Sequence, residues 1–133
     1  MNKGLIEILK KDYPELRFKE GDKFAFRPPR TIRYNLAKEY ADLLLLHEVS
    51  HAVLGHQDFR MDVERLKMEK EAWEKACELA QQYGVKIDEN LIQDELDTYR
   101  DWLHQKSRCP NCGLTRFQTS DSRYHCPRCE NLT

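Results

Sequence analysis

The order of apolar and polar residues divides the chain into segments with different periodicity. Residues 3–12 carry apolar positions at a helical spacing and are followed by Pro14, which predicts a short helix. Between Leu16 and Tyr34 apolar residues alternate with polar ones, and Glu20-Gly21-Asp22 and Pro28-Pro29 interrupt the pattern. This stretch predicts two or three short strands joined by turns.

Three longer helices are predicted in the remainder of the chain. The first would be capped by Asn35 and end at Gly55, and its apolar residues cover most of its sides, so we expect it to be the buried central helix. The second would run from about residue 61 to residue 83 and stop at Gly84. The third would start at Asp88 and end near residue 105. The pattern therefore indicates an α+β fold.

Composition and charge narrow the class of protein. A chain of 133 residues with 40% hydrophobic and 34% charged residues suits one compact domain with a small appendage. No apolar run approaches the roughly 20 residues that a membrane helix needs, and residues 1–11 do not resemble a secretory signal, so we expect a cytoplasmic protein. Residues 36–104 hold eight basic and sixteen acidic residues, which makes this region a poor surface for nucleic acid.

The segment His47-Glu48-Val49-Ser50-His51 lies in the predicted central helix. Residues four apart project from one face of a helix, so the two imidazoles can reach one Zn²⁺. Glu48 is about 100° further round the helix and can act as the general base toward a water at the metal. A pair of surface histidines on a helix is the alternative, but burying these residues in so apolar a helix without a partner would be costly.

Spacing alone leaves several candidates for the third ligand of such a metal. A His six residues after His51 would be expected in metzincins, and this chain has Gln57 there. His56 is a metal ligand, a donor to the transition state or an ordinary loop residue, and we favour the donor. Helical phase instead favours Glu69, because Ala72, Trp73 and other apolar residues share its face. Pairing of Glu69 with a buried Lys or Arg is the alternative. The competing carboxylates Glu71, Glu74 and Glu78 fall on the opposite face.

Four cysteines form two Cys-x-x-Cys pairs close to the end of the chain. Cys109 and Cys112 are separated from Cys126 and Cys129 by 13 residues, and this spacing is typical of a closed, tetrahedral structural zinc site. A segment this short has almost no core, so zinc must supply its folding energy. The ribbon either only caps the third helix or aids dimerisation, or it docks a protein or nucleic-acid partner. The fifth cysteine, Cys77, is expected to be a buried small residue.

Residues 47–56, which read His-Glu-Val-Ser-His-Ala-Val-Leu-Gly-His, resemble the HExxH helix of the ImmA/IrrE-type metallopeptidases. Glu69-Lys70-Glu71-Ala72 is similar to that family's Glu-x-Glu-Ala signature, and the resemblance covers about residues 1–85. It implies a small gluzincin, some of whose relatives promote cleavage of a transcriptional repressor. Trp73 is a departure, because the family commonly has Asp or Asn there to orient a ligand. Residues 124–129 are also similar to the end of the zinc ribbon in SprT-like proteins, which act on proteins associated with DNA. The third metal ligand of those proteins is a His followed by Gly, and this chain has no such pair after the HExxH segment.

The sequence thus predicts a zincin-like domain over residues 1–105, with a short antiparallel sheet and an HExxH helix, followed by a zinc ribbon over residues 106–133. The predicted function is zinc-dependent hydrolysis of peptide bonds in a specific protein substrate, with no membrane partner. Two zinc ions are expected, one catalytic and one structural, and an oxyanion donor is expected at His56. A SprT-like protease and a non-catalytic binding module that keeps the fold as a scaffold are the alternatives.

Overall fold

The computed structural model describes residues 3–57 and 59–129. These residues form four helices, α1 (Lys3–Asp12), α2 (Ala41–Val53), α3 (Asp62–Tyr83) and α4 (Glu89–Ser107). Five short strands accompany them, β1 (Arg17–Glu20), β2 (Ala25–Arg27), β3 (Thr31–Tyr34), β4 (Phe117–Gln118) and β5 (Tyr124–His125). The predicted α+β class is therefore confirmed.

The chain divides into two compact units, and neither is continuous in sequence. The first comprises Met1–Gln57 with Glu71–Asp88, and the second comprises Asp58–Lys70 with Glu89–Thr133. Helix α3 runs without a break through the point of division. The predicted boundary between residues 105 and 106 stays a prediction.

The first unit holds a three-stranded sheet in the order β1-β3-β2. Strand β3 pairs parallel to β1, with Phe18 opposite Ile32, and antiparallel to β2, with Phe26 opposite Ile32. The sheet is mixed: the expected antiparallel pairing is confirmed for β2 and β3 and was wrong for β1, which pairs parallel to β3. Alternation of apolar and polar residues reveals that a strand exists, but it carries no information about which neighbour the strand pairs with.

Helix α2 is shorter than its sequence pattern suggested, and the expected cap at Asn35 was wrong. The Asn35 side chain does accept a backbone hydrogen bond, but from Ala37 N–H at 3.0 Å, which closes a turn. Tyr40 then has a left-handed conformation with φ 60°, and α2 begins after it without a side-chain cap. The competing turn and the left-handed residue move the N-cap from residue 35 to residue 40, a delay of five residues.

The core of the first unit surrounds α2 and is almost entirely aliphatic. Its fully buried large side chains come from α1, β3 and α2, and they are Leu5, Leu9, Ile32, Leu43, Leu45, Leu46 and Val49. Helix α3 adds a stripe of buried residues at helical spacing, comprising Ala72, Trp73, Ala76, Leu79 and Ala80. Because α2 is buried around most of its circumference, any polar side chain on it must be satisfied inside the protein.

The second unit is held together by α4, by the start of α3 and by the four-cysteine segment, which we define as residues 108–129. Ile92 and Leu96 are the buried apolar residues of α4. The guanidinium of Arg65 lies over three aromatic rings, 5.7 Å from Phe59, 5.1 Å from Tyr99 and 5.0 Å from Trp102. Cation–aromatic contacts thus supplement a small apolar core.

None of the helices formed by residues 3–57 and 59–129 combines the length and the apolar composition that crossing a bilayer demands.

Candidate metal centres

Helix α2 buries the polar residues of the HExxH segment. His47 and His51 are each 6% exposed and Glu48 is 9% exposed. Ser50, which lies between the histidines, is fully buried and donates its hydroxyl hydrogen bond to the Leu46 carbonyl at 2.7 Å. Burying two imidazoles and a carboxylate in so apolar a helix is costly unless they interact with one another or bind a ligand.

Glu69 lies on α3, on the face that carries the buried stripe. It is 9% exposed, and Trp73, one turn further along the same continuous helix, is 2% exposed. The helical phase deduced from the sequence is therefore confirmed for Glu69. One donor atom from each of His47, His51 and Glu69 lies within 4.8 Å of the other two. We call these three residues the His2Glu group.

The donor chemistry of the His2Glu group fits a metal ion. Two imidazole nitrogens and one carboxylate oxygen are the ligands of many hydrolytic zinc sites, and three protein ligands leave a coordination position for another molecule. All three side chains are buried, so their rotamers are held by packing before any ion binds. That zinc is the ion remains a prediction.

Aromatic contacts fix the orientation of both imidazoles. The Trp73 indole stacks on the His47 ring with centroids 4.0 Å apart and an interplanar angle of 18°. The Phe26 ring on β2 lies parallel to His51 at 6.0 Å, and the two imidazoles meet edge to face at 4.7 Å. Aromatic rings from α3 and β2 thus pack against the two candidate ligands.

His56 lies just beyond α2 and contacts two residues of the first unit. Its Nδ1 is 2.9 Å from the Nδ1 of His51, and its Nε2 is 3.3 Å from Oε1 of Glu71. It does not belong to the His2Glu group. The expectation that His56 donates to an oxyanion stays a prediction. Sequence reasoning missed the contact with Glu71, which helical phase placed on the face away from Glu69.

The four cysteines of the four-cysteine segment also converge. Cys109 Sγ lies 4.0 Å from Cys129 Sγ, and Cys112 Sγ lies 3.5 Å from Cys126 Sγ. A disulfide would require about 2.05 Å, whereas thiolates at about 2.3 Å from one tetrahedral zinc would be about 3.8 Å apart. The observed spacing therefore fits a shared ion and excludes disulfides between these pairs.

The first cysteine loop, residues 109–113, closes in the way that a metal-binding turn requires. The Gly113 N–H donates to the Cys109 carbonyl at 2.9 Å, and Gly113 has φ +80°, which glycine adopts without strain. The backbone N–H of Cys112 lowers the pKa of Cys109 to about 6, although burial opposes the shift. The loop thus favours the thiolate of Cys109. For Cys112 the hydrogen bond from the Leu114 backbone lowers the pKa, but burial and the hydrogen bonds to the other cysteines outweigh it and raise the pKa to about 11.

A buried carboxylate connects the start of α3 with the four-cysteine segment, all within the second unit. Asp62 is 5% exposed, and its Oδ2 accepts the Tyr124 hydroxyl at 2.7 Å and lies 3.1 Å from the Lys106 ammonium. The Asp62 N–H donates to Oε1 of Gln118 at 2.7 Å. The acidic first turn of α3 can be seen in the sequence, but its partners, which lie between 44 residues (Lys106) and 62 residues (Tyr124) further along the chain, cannot.

No protein-family model matches the chain, and comparison with curated proteins and with solved structures likewise found no match. The function must therefore be argued from the two clusters of side chains.

Proposed function

We propose that this chain is a zinc-dependent metallopeptidase of gluzincin type that hydrolyses peptide bonds in a specific protein substrate. The observation that carries the proposal is the convergence of His47, His51 and Glu69 within 4.8 Å, next to the buried carboxylate of Glu48. The resemblance to ImmA/IrrE-type peptidases agrees with this donor set and suggests a transcriptional repressor as the substrate.

The residues of the site have two roles: three of them bind the ion, and Glu48 transfers a proton. His47, His51 and Glu69 would hold Zn²⁺, which when bound polarises the scissile carbonyl and makes water more acidic. Glu48 is adjacent to His47 and lies outside the ligand group, and we assign its carboxylate the role of general base. It takes the proton from the attacking water and delivers it to the leaving amine.

A second zinc in the four-cysteine segment would be structural. The four thiolates complete a tetrahedral shell and leave no position for a substrate. We propose that this segment is a zinc ribbon, whose folding free energy comes largely from the ion.

The deciding experiment compares wild type with Glu48→Gln on a library of proteome-derived peptides and on intact candidate repressors. New termini are detected by mass spectrometry. Glu48→Gln preserves the size of the side chain but cannot accept the proton, so we expect zinc content and thermal stability to be unchanged and cleavage to fall by about 10²–10⁴-fold.

Cleavage that persists undiminished in Glu48→Gln would exclude this mechanism. A cut that requires DNA would favour the SprT-like alternative. If wild type binds zinc at the His2Glu group yet cuts nothing, the chain is a binding module that keeps the metal site as part of a scaffold.

A further inference from the structure

The contacts of His56 form a chain of three side chains that ends at one of the metal-site histidines. The first contact joins Oε1 of Glu71 to Nε2 of His56 at 3.3 Å. The second joins the other ring nitrogen of His56, Nδ1, to Nδ1 of His51 at 2.9 Å. The His56 side chain is 10% exposed and that of Glu71 is 45% exposed. The chain therefore runs from half-exposed Glu71 to buried His51.

With His56 neutral, counting the hydrogens along this chain selects one arrangement. An ionised carboxylate only accepts hydrogen bonds, so His56 Nε2 must carry the hydrogen that Glu71 receives. A neutral imidazole has a single N–H, so His56 Nδ1 is then an acceptor. The hydrogen in the 2.9 Å contact must therefore belong to His51 Nδ1. The lone pair of His51 is left on Nε2, which is the atom that it can offer to a metal.

We propose that His56 and Glu71 are positioning residues for the metal, with Glu71 orienting His56 and His56 holding His51 in its Nδ1–H tautomer. This inference rests on the proposed metal site but not on peptidase activity. Partners of this kind fix the ring orientation of a ligating histidine and raise its basicity, and losing them typically costs about 10–100-fold in metal affinity.

The two members of the pair should differ in strength. The 2.9 Å contact with His51 is a hydrogen bond of ordinary length and is shielded from solvent on the His51 side, whereas the 3.3 Å contact with Glu71 is long and partly in solvent. We therefore expect His56→Ala to weaken zinc binding at the His2Glu group by about 10–100-fold and Glu71→Ala to weaken it by less than about tenfold.

Glu74 supplies a matched control for charge. Glu74 lines the same cavity as His56 and Glu71, and its replacement by alanine removes the same negative charge as Glu71→Ala. Among the residues that the structure describes, however, it is Glu71 and not Glu74 that hydrogen-bonds to His56. Glu74→Ala should leave zinc affinity unchanged. His56→Gln should restore part of the affinity, because its amide can accept from His51 and donate toward Glu71.

The experiment uses the full chain loaded with zinc. Competition with a chelator gives the affinity of each variant, and His47→Ala identifies which zinc belongs to the His2Glu group. The imidazole tautomers are measured by long-range ¹H–¹⁵N NMR of labelled protein. We expect the Nδ1–H tautomer for His51 and the Nε2–H tautomer for His56.

The double variant His56→Ala/Glu71→Ala tests whether Glu71 acts through His56. We expect the double variant to bind zinc no more weakly than His56→Ala alone, because Glu71 can affect the metal only through His56, which is already absent. Additive losses, or an Nε2–H tautomer at His51 in the zinc-loaded protein, would overturn the proposal. Unchanged affinity in His56→Ala with reduced cleavage would also overturn it and return His56 to the role of oxyanion donor.

These outcomes are distinguishable from a failure of the proposed function. If His47→Ala and His51→Ala leave both zinc ions bound, the metal site itself is wrong, whatever the behaviour of His56. If zinc binds and the positioning effects appear without cleavage, the positioning inference holds and only the peptidase proposal fails.

Discussion

Trp73 is a large, buried side chain that packs directly against a candidate ligand. It is 2% exposed and stacks on His47 at 4.0 Å. Trp73→Ala should lower the free energy of unfolding by about 3–5 kcal/mol, whereas Trp73→Phe, which keeps a ring, should cost less than about 1.5 kcal/mol. Urea unfolding at fixed zinc concentration measures both. Equal losses in the two variants would contradict the prediction, because they would mean that keeping an aromatic ring at this position contributes nothing.

Tyr83 provides a stability contribution that depends on pH. Its hydroxyl donates to Oδ2 of Asp12 at 2.6 Å, and burial, the hydrogen bond to Asp12 and the proximity of Tyr13 raise its pKa above the ordinary value of 10. A raised pKa means that the folded state holds the proton more tightly, so this contribution is complete below about pH 10 and is lost as the pH rises further.

Tyr83→Phe should remove that dependence on pH. At neutral pH the variant should lose about 0.5–1.5 kcal/mol, the usual net value of a hydrogen bond. Above pH 10 the stability of wild type should fall toward that of the variant. Thermal unfolding across this range measures the difference, and parallel curves would contradict the assignment.

Gly113 determines whether the first cysteine loop can close. At φ +80° an alanine is strained by about 1–3 kcal/mol, although its Cβ would meet only the Arg108 side chain, at 3.8 Å. Gly113→Ala should therefore weaken metal binding by the four cysteines, measured from the thiolate-to-cobalt absorption of Co²⁺-loaded protein. Gly21→Ala is the control, since Gly21 has no positive φ and open space around it. A loss of equal size at Gly21 would refute the argument.

At the level of elements, the sequence predicted what local periodicity encodes and failed where distant partners decide. The bounds of α1 and the apolar face of α3 that carries Glu69 follow from helical spacing. The late start of α2 depends on the left-handed Tyr40, for which the sequence offered no signal. The parallel pairing of β1 with β3 and the contact of His56 with Glu71 depend on tertiary approach, which residue spacing does not contain.

For the whole molecule, the two clusters of ligands predict a stoichiometry. Fully folded protein that has not been exposed to chelator should contain two zinc ions per chain. Cys109→Ser/Cys112→Ser should remove one ion and destabilise residues 108–129, because thiolate coordination replaces a core there. The other ion should remain. Elemental analysis that finds at most one zinc in wild type would contradict this expectation.

The buried Asp62 has a consequence for how this protein can be cut or recombined. Its partners Lys106, Gln118 and Tyr124 all lie beyond residue 105, although Asp62 itself begins α3. A fragment ending at residue 105 would lose every one of these partners and, with them, side chains that shield the carboxylate from solvent, so α3 would begin with an exposed, unpaired Asp62. The four-cysteine segment is therefore not an interchangeable cassette. A gene fusion that transplants it must also carry the first turn of α3, and shuffling between homologues should succeed only when both pieces come from the same parent.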